Sequence, residues 1–151
     1  MSLKNSVGLV AKRVPGELYD YMAELHTSPF QRLMIAEINR FYRNDLIIMD
    51  ATKGFVNGGP ERGELVQPNI ILAGKDRVAI DAVGVALLRS YGSTPAVTNG
   101  RIFSLEQISR AAELGVGVRS ASGIKLVSLD DISEKTVEIL QKILDTEGQE
   151  K

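Results

Sequence analysis

The sequence predicts an α/β domain with a mostly parallel sheet flanked by helices. Three observations predict it. Residues 46–49 (Leu-Ile-Ile-Met) and 70–73 (Ile-Ile-Leu-Ala) are short, continuous apolar runs, the pattern of strands buried on both faces. Segments with helical apolar spacing alternate with these runs, as in layered α/β domains. A further strand pattern over 124–129 would join strand 69–73 through two helices, a right-handed crossover if the two are parallel neighbours.

Composition bounds the class. The chain has 151 residues, 44% hydrophobic and 25% charged, with 18 basic and 19 acidic residues for a net charge of −1. That is one domain's worth of chain, expected over 1–147 with a polar tail at 148–151. No basic excess suggests nucleic acid, and no lysine-rich amphipathic face suggests a membrane. No apolar run is long enough to span a bilayer, and no signal-peptide core is present, so a cytoplasmic location is expected. The chain has no cysteine, which excludes disulfides, thiolate zinc sites, cysteine nucleophiles and cysteine-ligated iron–sulfur clusters within it.

In chain order, 7–11 reads as extended, with Lys4 and Asn5 just before it. Arg13-Val-Pro-Gly16 breaks the chain. Residues 17–25 read as a short helix with Leu18, Tyr21, Met22 and Leu25 on one side. Ser28 before Pro29 ends it. His26 is the only histidine; it is either a hydrogen-bonded structural residue or a proton-moving group. Residues 30–43 read as a helix, with Leu33, Met34, Ile38, Phe41 and Tyr42 on the apolar side and Arg32, Glu37, Asn39 and Arg40 opposite.

The next stretch organises the chain. Strand 45–50 is followed by a long segment, 51–68, holding Gly54, Gly58, Gly59, Gly63, Pro60, Lys53 and Arg62. Loops of that length in a compact domain are usually functional or disordered. Bare glycine N–H groups beside Lys53 and Arg62 suit an anion, while a turn-rich surface loop is the plain alternative. No phosphate-loop or dinucleotide fingerprint is present. Strand 69–73 follows, then a helix over 77–91 with Asp76 as its N-cap. Asp81 interrupts the apolar series of this helix. It reads as a local ion pair with Arg77 four residues earlier, or as a partly buried carboxylate near the glycine loop. Residues 92–100 form a loop. Ser104 and Gln107 form a capping box for a helix ending near Gly115 that buries Leu105, Ile108 and Leu114. A second capping box, Asp131 to Glu134, opens the last helix, with Ile132, Thr136, Ile139, Leu140 and Ile143 on one face.

In a parallel sheet, ligands sit beyond the carboxyl ends of the strands. Asp50 with the glycine loop, and Lys75-Asp76, would fall at that edge.

The string Leu3-Lys-Asn-Ser-Val-Gly8, the lone His26, the series Asp50, Gly54, Asn57-Gly-Gly-Pro60, Gly63, and the string Ala73-Gly-Lys-Asp-Arg-Val-Ala-Ile-Asp81 occur together in this order. The set resembles the domain of unknown function 362 family, over roughly residues 3–118. Lys4, Asn5, His26, Asp50, Gly54, Gly58, Gly59, Pro60, Gly63, Asp76 and Asp81 match its pattern. The family domain usually has a further α/β segment before the Leu-Lys-Asn string. The resemblance therefore implies the carboxyl half of a longer domain, as a split subunit or a shortened chain. It also implies a homo-oligomer or a partner chain covering the missing half. Some members carry ferredoxin-type iron–sulfur modules; for a chain without cysteine this implies at most a cluster-bearing partner.

Two functions follow as expectations. One is a pocket that takes a small anionic ligand on Lys4, Asn5, Lys53 and the glycines Gly54, Gly58, Gly59 and Gly63. His26, Asp50 or Asp81 would move protons, and Asp50 with Asp81 could hold a divalent metal. The alternative is a non-catalytic subunit or accessory domain of a redox (iron–sulfur) assembly.

Overall fold

The computed structural model describes residues 1–146; the expected tail at 148–151 lies outside them. The chain is α/β, but its strands form two separate antiparallel pairs. The expected mostly parallel sheet is corrected by this arrangement. Strand β1 (Ile47–Ala51) pairs antiparallel with β4 (Ile70–Gly74), Met49 opposite Leu72. Strand β2 (Gly54–Gly58) pairs antiparallel with β3 (Gly63–Val66), with a register shift between Phe55 and Asn57.

The physical reason lies in the connection. Parallel neighbours need a crossover of a dozen or more residues, usually helical. Here the 18 or so residues between the two apolar runs fold into a hairpin of their own, so the chain reverses and β4 returns beside β1. The predicted long loop is thus largely β2 and β3. Its glycines serve the reversal: Gly58 and Gly59 have φ of 77° and 93°, and the Gly59 N–H donates to the Arg62 carbonyl at 2.7 Å. A Cβ on Gly63 would lie 2.2 Å from the Asn57 carbonyl oxygen.

The predicted strand 124–129 forms no ladder. Leu126 N–H donates to the Gln141 side chain at 3.3 Å instead, and Val127 and Leu129 are exposed. The expected crossover to it is therefore also absent among the described residues. The expected extended start at 7–11 is corrected too: α1 (Ser2–Asn5) runs into a 3₁₀ turn, Ser6–Leu9.

The helices follow the sequence more closely. Helix α2 (Tyr21–Thr27) is capped by Asp20, whose carboxylate accepts from the Ala23 N–H. Helix α3 (Gln31–Ile38) continues into a 3₁₀ turn, Asn39–Phe41. Helix α4 (Arg77–Ser90) starts at the expected Asp76 cap. The second Asp76 oxygen accepts from Val118 N–H at 2.8 Å, tying the 115–118 turn to the start of α4. A short α5 (Pro95–Thr98) follows. Helix α6 (Glu106–Glu113) begins without a side-chain cap, so the Ser104 capping box does not form. Helix α7 (Asp131–Thr146) is capped one residue earlier than expected, by Asp130 accepting from Ser133 N–H.

The core is built around α4, which is buried from Arg77 to Leu87 except at the half-buried Ala79. Helices α1, α6 and α7 and the inward face of β1–β4 pack on it. Gly84 permits one close approach: a Cβ there would meet Met49 Cε at 2.9 Å and Met1 Sδ at 3.3 Å.

Candidate functional site

Three clefts surround α1, and their walls overlap. The first, about 680 Å³, lies between α1 with its 3₁₀ turn and β1. The second, about 420 Å³, lies between the same turn and α2; Lys4, Asn5 and His26 line it, with Val7 and Met22. The third, about 290 Å³, opens between β1, β2 and α4; Asp50, Lys53 and Gly54 line it. Met1 borders all three, Asn5 the first two, and Asp50 the first and third. The structure thus brings Lys4, Asn5 and His26 together, and separately Asp50, Lys53 and Gly54. Gly58, Gly59 and Gly63 sit at the hairpin tip and line none of the three clefts.

What positions α1 is a buried polar network. Asp81 is 1% exposed. Its two carboxylate oxygens accept from the backbone N–H groups of Ser2 (2.5 Å) and Leu3 (3.2 Å). The carboxylate does for α1 what an N-cap side chain does, satisfying donors that the first turn leaves free. Burial pushes its carboxyl up to about 6, against the opposing pull of the chain's amino group and of the two N–H donors. Asp81 is therefore neither ion-paired with Arg77 nor open to a ligand.

Asn39 completes the frame. Its Nδ2 donates to the carbonyls of Leu3 (3.0 Å) and Ile35 (2.7 Å). Its Oδ1 accepts from Ser6 Oγ (2.8 Å) and Arg77 Nη1 (2.6 Å). Arg77 also donates to the carbonyls of Asn39 and Tyr42, and burial pulls its guanidinium below its ordinary value. Sequence reading placed Asn39 on the solvent side of its helix and passed over Ser6. The available signal was spacing, since Asn39 follows the buried Ile35 by one helical turn.

Of the remaining candidates, Lys4 and Gly54 are half-buried and Asn5, His26, Asp50, Lys53, Gly58, Gly59 and Gly63 are exposed. His26 Nδ1 faces the Met22 carbonyl at 2.7 Å. A carbonyl only accepts, so Nδ1 carries the hydrogen and, in the neutral ring, Nε2 keeps its lone pair. Asp50 accepts from the N–H (2.8 Å) and hydroxyl (2.7 Å) of Thr52, which hold its carboxyl below the usual carboxylate range. Among the described residues, no group of three or more His, Asp or Glu side chains is placed to hold a metal ion. None of the described helices is long and apolar enough to cross a membrane.

No curated protein and no solved structure matches the chain. A family model does, over residues 1–86, a span that holds α1, His26, all four strands and Asp81 and that ends within α4, short of residue 118. The chain belongs to the family described as Domain of unknown function (DUF362).

Proposed function

We propose that the cleft between α1 and α2 binds a small anionic ligand. One observation carries this reading: Lys4, Asn5 and His26, from two separate helices, line one cleft of about 420 Å³. Lys4 supplies a positive charge on a flexible stem. Asn5 offers an amide donor, and the His26 Nε2 lone pair can accept a hydrogen bond from a ligand hydroxyl. Val7 and Met22 provide apolar wall. Pockets of this make-up, largely apolar with a few convergent polar groups, are the usual form of ligand sites. The test is titration of the ¹⁵N-labelled protein with inorganic phosphate and with acetate. Shifts are expected at the amides of Asn5, Val7, Met22 and His26, with affinity weakened about tenfold by Lys4→Gln. Absence of those shifts at tens of millimolar ligand refutes the reading.

A second reading, a non-catalytic subunit of a larger assembly, is favoured by a different observation. Leu46, Ile48 and Ile71 stand on the outward side of β1–β4 and are 58%, 65% and 65% exposed. Exposed apolar clusters on a two-stranded sheet mark surfaces that an assembly covers. Native mass spectrometry checks it: oligomers that Ile48→Lys dissolves support it, and a monomer at all concentrations counts against it.

A further inference from the structure

We propose that the cleft between α1 and β1 is a second oxyanion site, in which Arg77 pairs with a carboxylate or phosphate group of a small ligand. Asn5 borders both clefts, but the charged group here is Arg77 rather than Lys4, and the proposal does not depend on the first site.

Arg77 is 5% exposed and lines this cleft of about 680 Å³. Its partners are all neutral: the Asn39 carbonyl, Asn39 Oδ1 and the Tyr42 carbonyl. The one acid near it on its own helix, Asp81, spends both oxygens on α1. Among the described residues, no carboxylate forms an ion pair with Arg77. A guanidinium has five N–H donors, and three bonds leave Nε–H and one Nη2 hydrogen without a partner among the described residues. A buried cation without a counter-ion is costly to keep, and the guanidinium edge is shaped for two parallel bonds to an oxyanion. Ser2, Asn5 and Asn44 add polar groups to the wall. Asp50 is the other charged side chain on that wall. It lies near the far end of β1, whereas the Tyr42 carbonyl that holds Arg77 precedes the strand. An anion at Arg77 is therefore separated from Asp50 by most of the strand, roughly 10 Å at 3.3 Å per residue.

The test uses the full chain carrying Lys4→Gln, so that binding in the neighbouring cleft is weakened. It is titrated with acetate and with inorganic phosphate while the Arg77 Nε–H resonance is followed by ¹H–¹⁵N NMR. Saturable shifts of that resonance and of the Asn44 and Ile48 amides are expected. Their relative size with the two probes shows whether the site takes a planar or a tetrahedral oxyanion. Asn44→Asp, an exposed change that adds a negative charge to the rim, should weaken binding about tenfold without unfolding the protein. Arg77→Lys, which keeps the charge and loses the fork, should weaken it at least as much wherever the variant folds. An unmoved Arg77 Nε–H with both probes, or a response that Asn44→Asp leaves unchanged, overturns the proposal. Failure here with phosphate shifts retained at Met22 and His26 in the unsubstituted protein removes this site and leaves the first cleft standing.

Discussion

Replacing Asn39 by leucine tests whether the buried network holds the site together. Leucine keeps the branched outline of asparagine, so the change removes hydrogen bonds and puts two methyl groups in place of the amide oxygen and nitrogen. Asn39 is 1% exposed and makes four side-chain hydrogen bonds, to Leu3, Ile35, Ser6 and Arg77. Three are between neutral groups, worth about 1 kcal/mol each; the Arg77 bond is to a charged group, worth about 2 kcal/mol. The Ser6 hydroxyl and one Arg77 N–H are left buried without that partner, and the loss comes to roughly 5 kcal/mol. That is a large part of the 5–15 kcal/mol typical of a domain. It corresponds to a fall in Tm of about 15 °C at this chain length. Urea unfolding followed by circular dichroism measures it directly. A loss under about 1 kcal/mol would show that α1 and the Asn39 turn are held by apolar packing, and the network account of the site would be wrong. The same variant should weaken phosphate binding at Lys4, since Leu3 on α1 and Ser6 at the start of the following turn lie on either side of that residue in the chain.

Other outcomes follow from single groups. The Asp81 carboxyl, raised from an ordinary 3.8 to about 6 in the fold, binds its proton more tightly folded than unfolded. Its contribution is therefore greatest below pH 4 and falls as pH rises to about 6, by roughly 3 kcal/mol. Asp20, Asp50 and Asp130 are shifted the other way, so the check is the difference in urea midpoint between the parent chain and Asp81→Asn at pH 4.5 and pH 7. Gly117→Ala places a Cβ 2.2 Å from Asp76 Oδ1 and should lower stability by about 1–3 kcal/mol through overpacking at the α4 cap; differential scanning calorimetry reads it. Gly63→Ala, blocked by the Asn57 carbonyl, should abolish amide-exchange protection in β2 and β3 while leaving phosphate binding at Lys4 unchanged, because Gly58, Gly59 and Gly63 shape a turn and border none of the three clefts. If phosphate binding is lost with the hairpin intact, the glycines contact the ligand after all.

Much of this chain is legible locally. Asp76 as a cap, the span of α4 and the two apolar runs that become β1 and β4 depend on neighbours within a few residues, and they are found close to where the sequence puts them. The hairpin was legible too: Phe55-Val56 and Glu64-Leu65-Val66 flank Asn57-Gly-Gly-Pro60, a strong turn signal. Taken as one long segment without secondary structure, 51–68 hides it. Strand direction was not legible from the runs, because a short apolar strand looks the same in either orientation; the length and folding of its connection decide. Nor could composition separate the strand-like run at 124–129 from a true strand, since a ladder needs a partner strand and this run pairs with none of the described strands. The set of candidate polar residues was visible as types and spacings. Which of them face solvent and which hold the frame was decided by packing alone. Asp81 went inward because α1 presents it two unsatisfied N–H groups, and Asn39 because four buried partners converge on it. Lys4 and His26 line one cleft because that frame ties α1 to the end of α3, and α2 packs on α3.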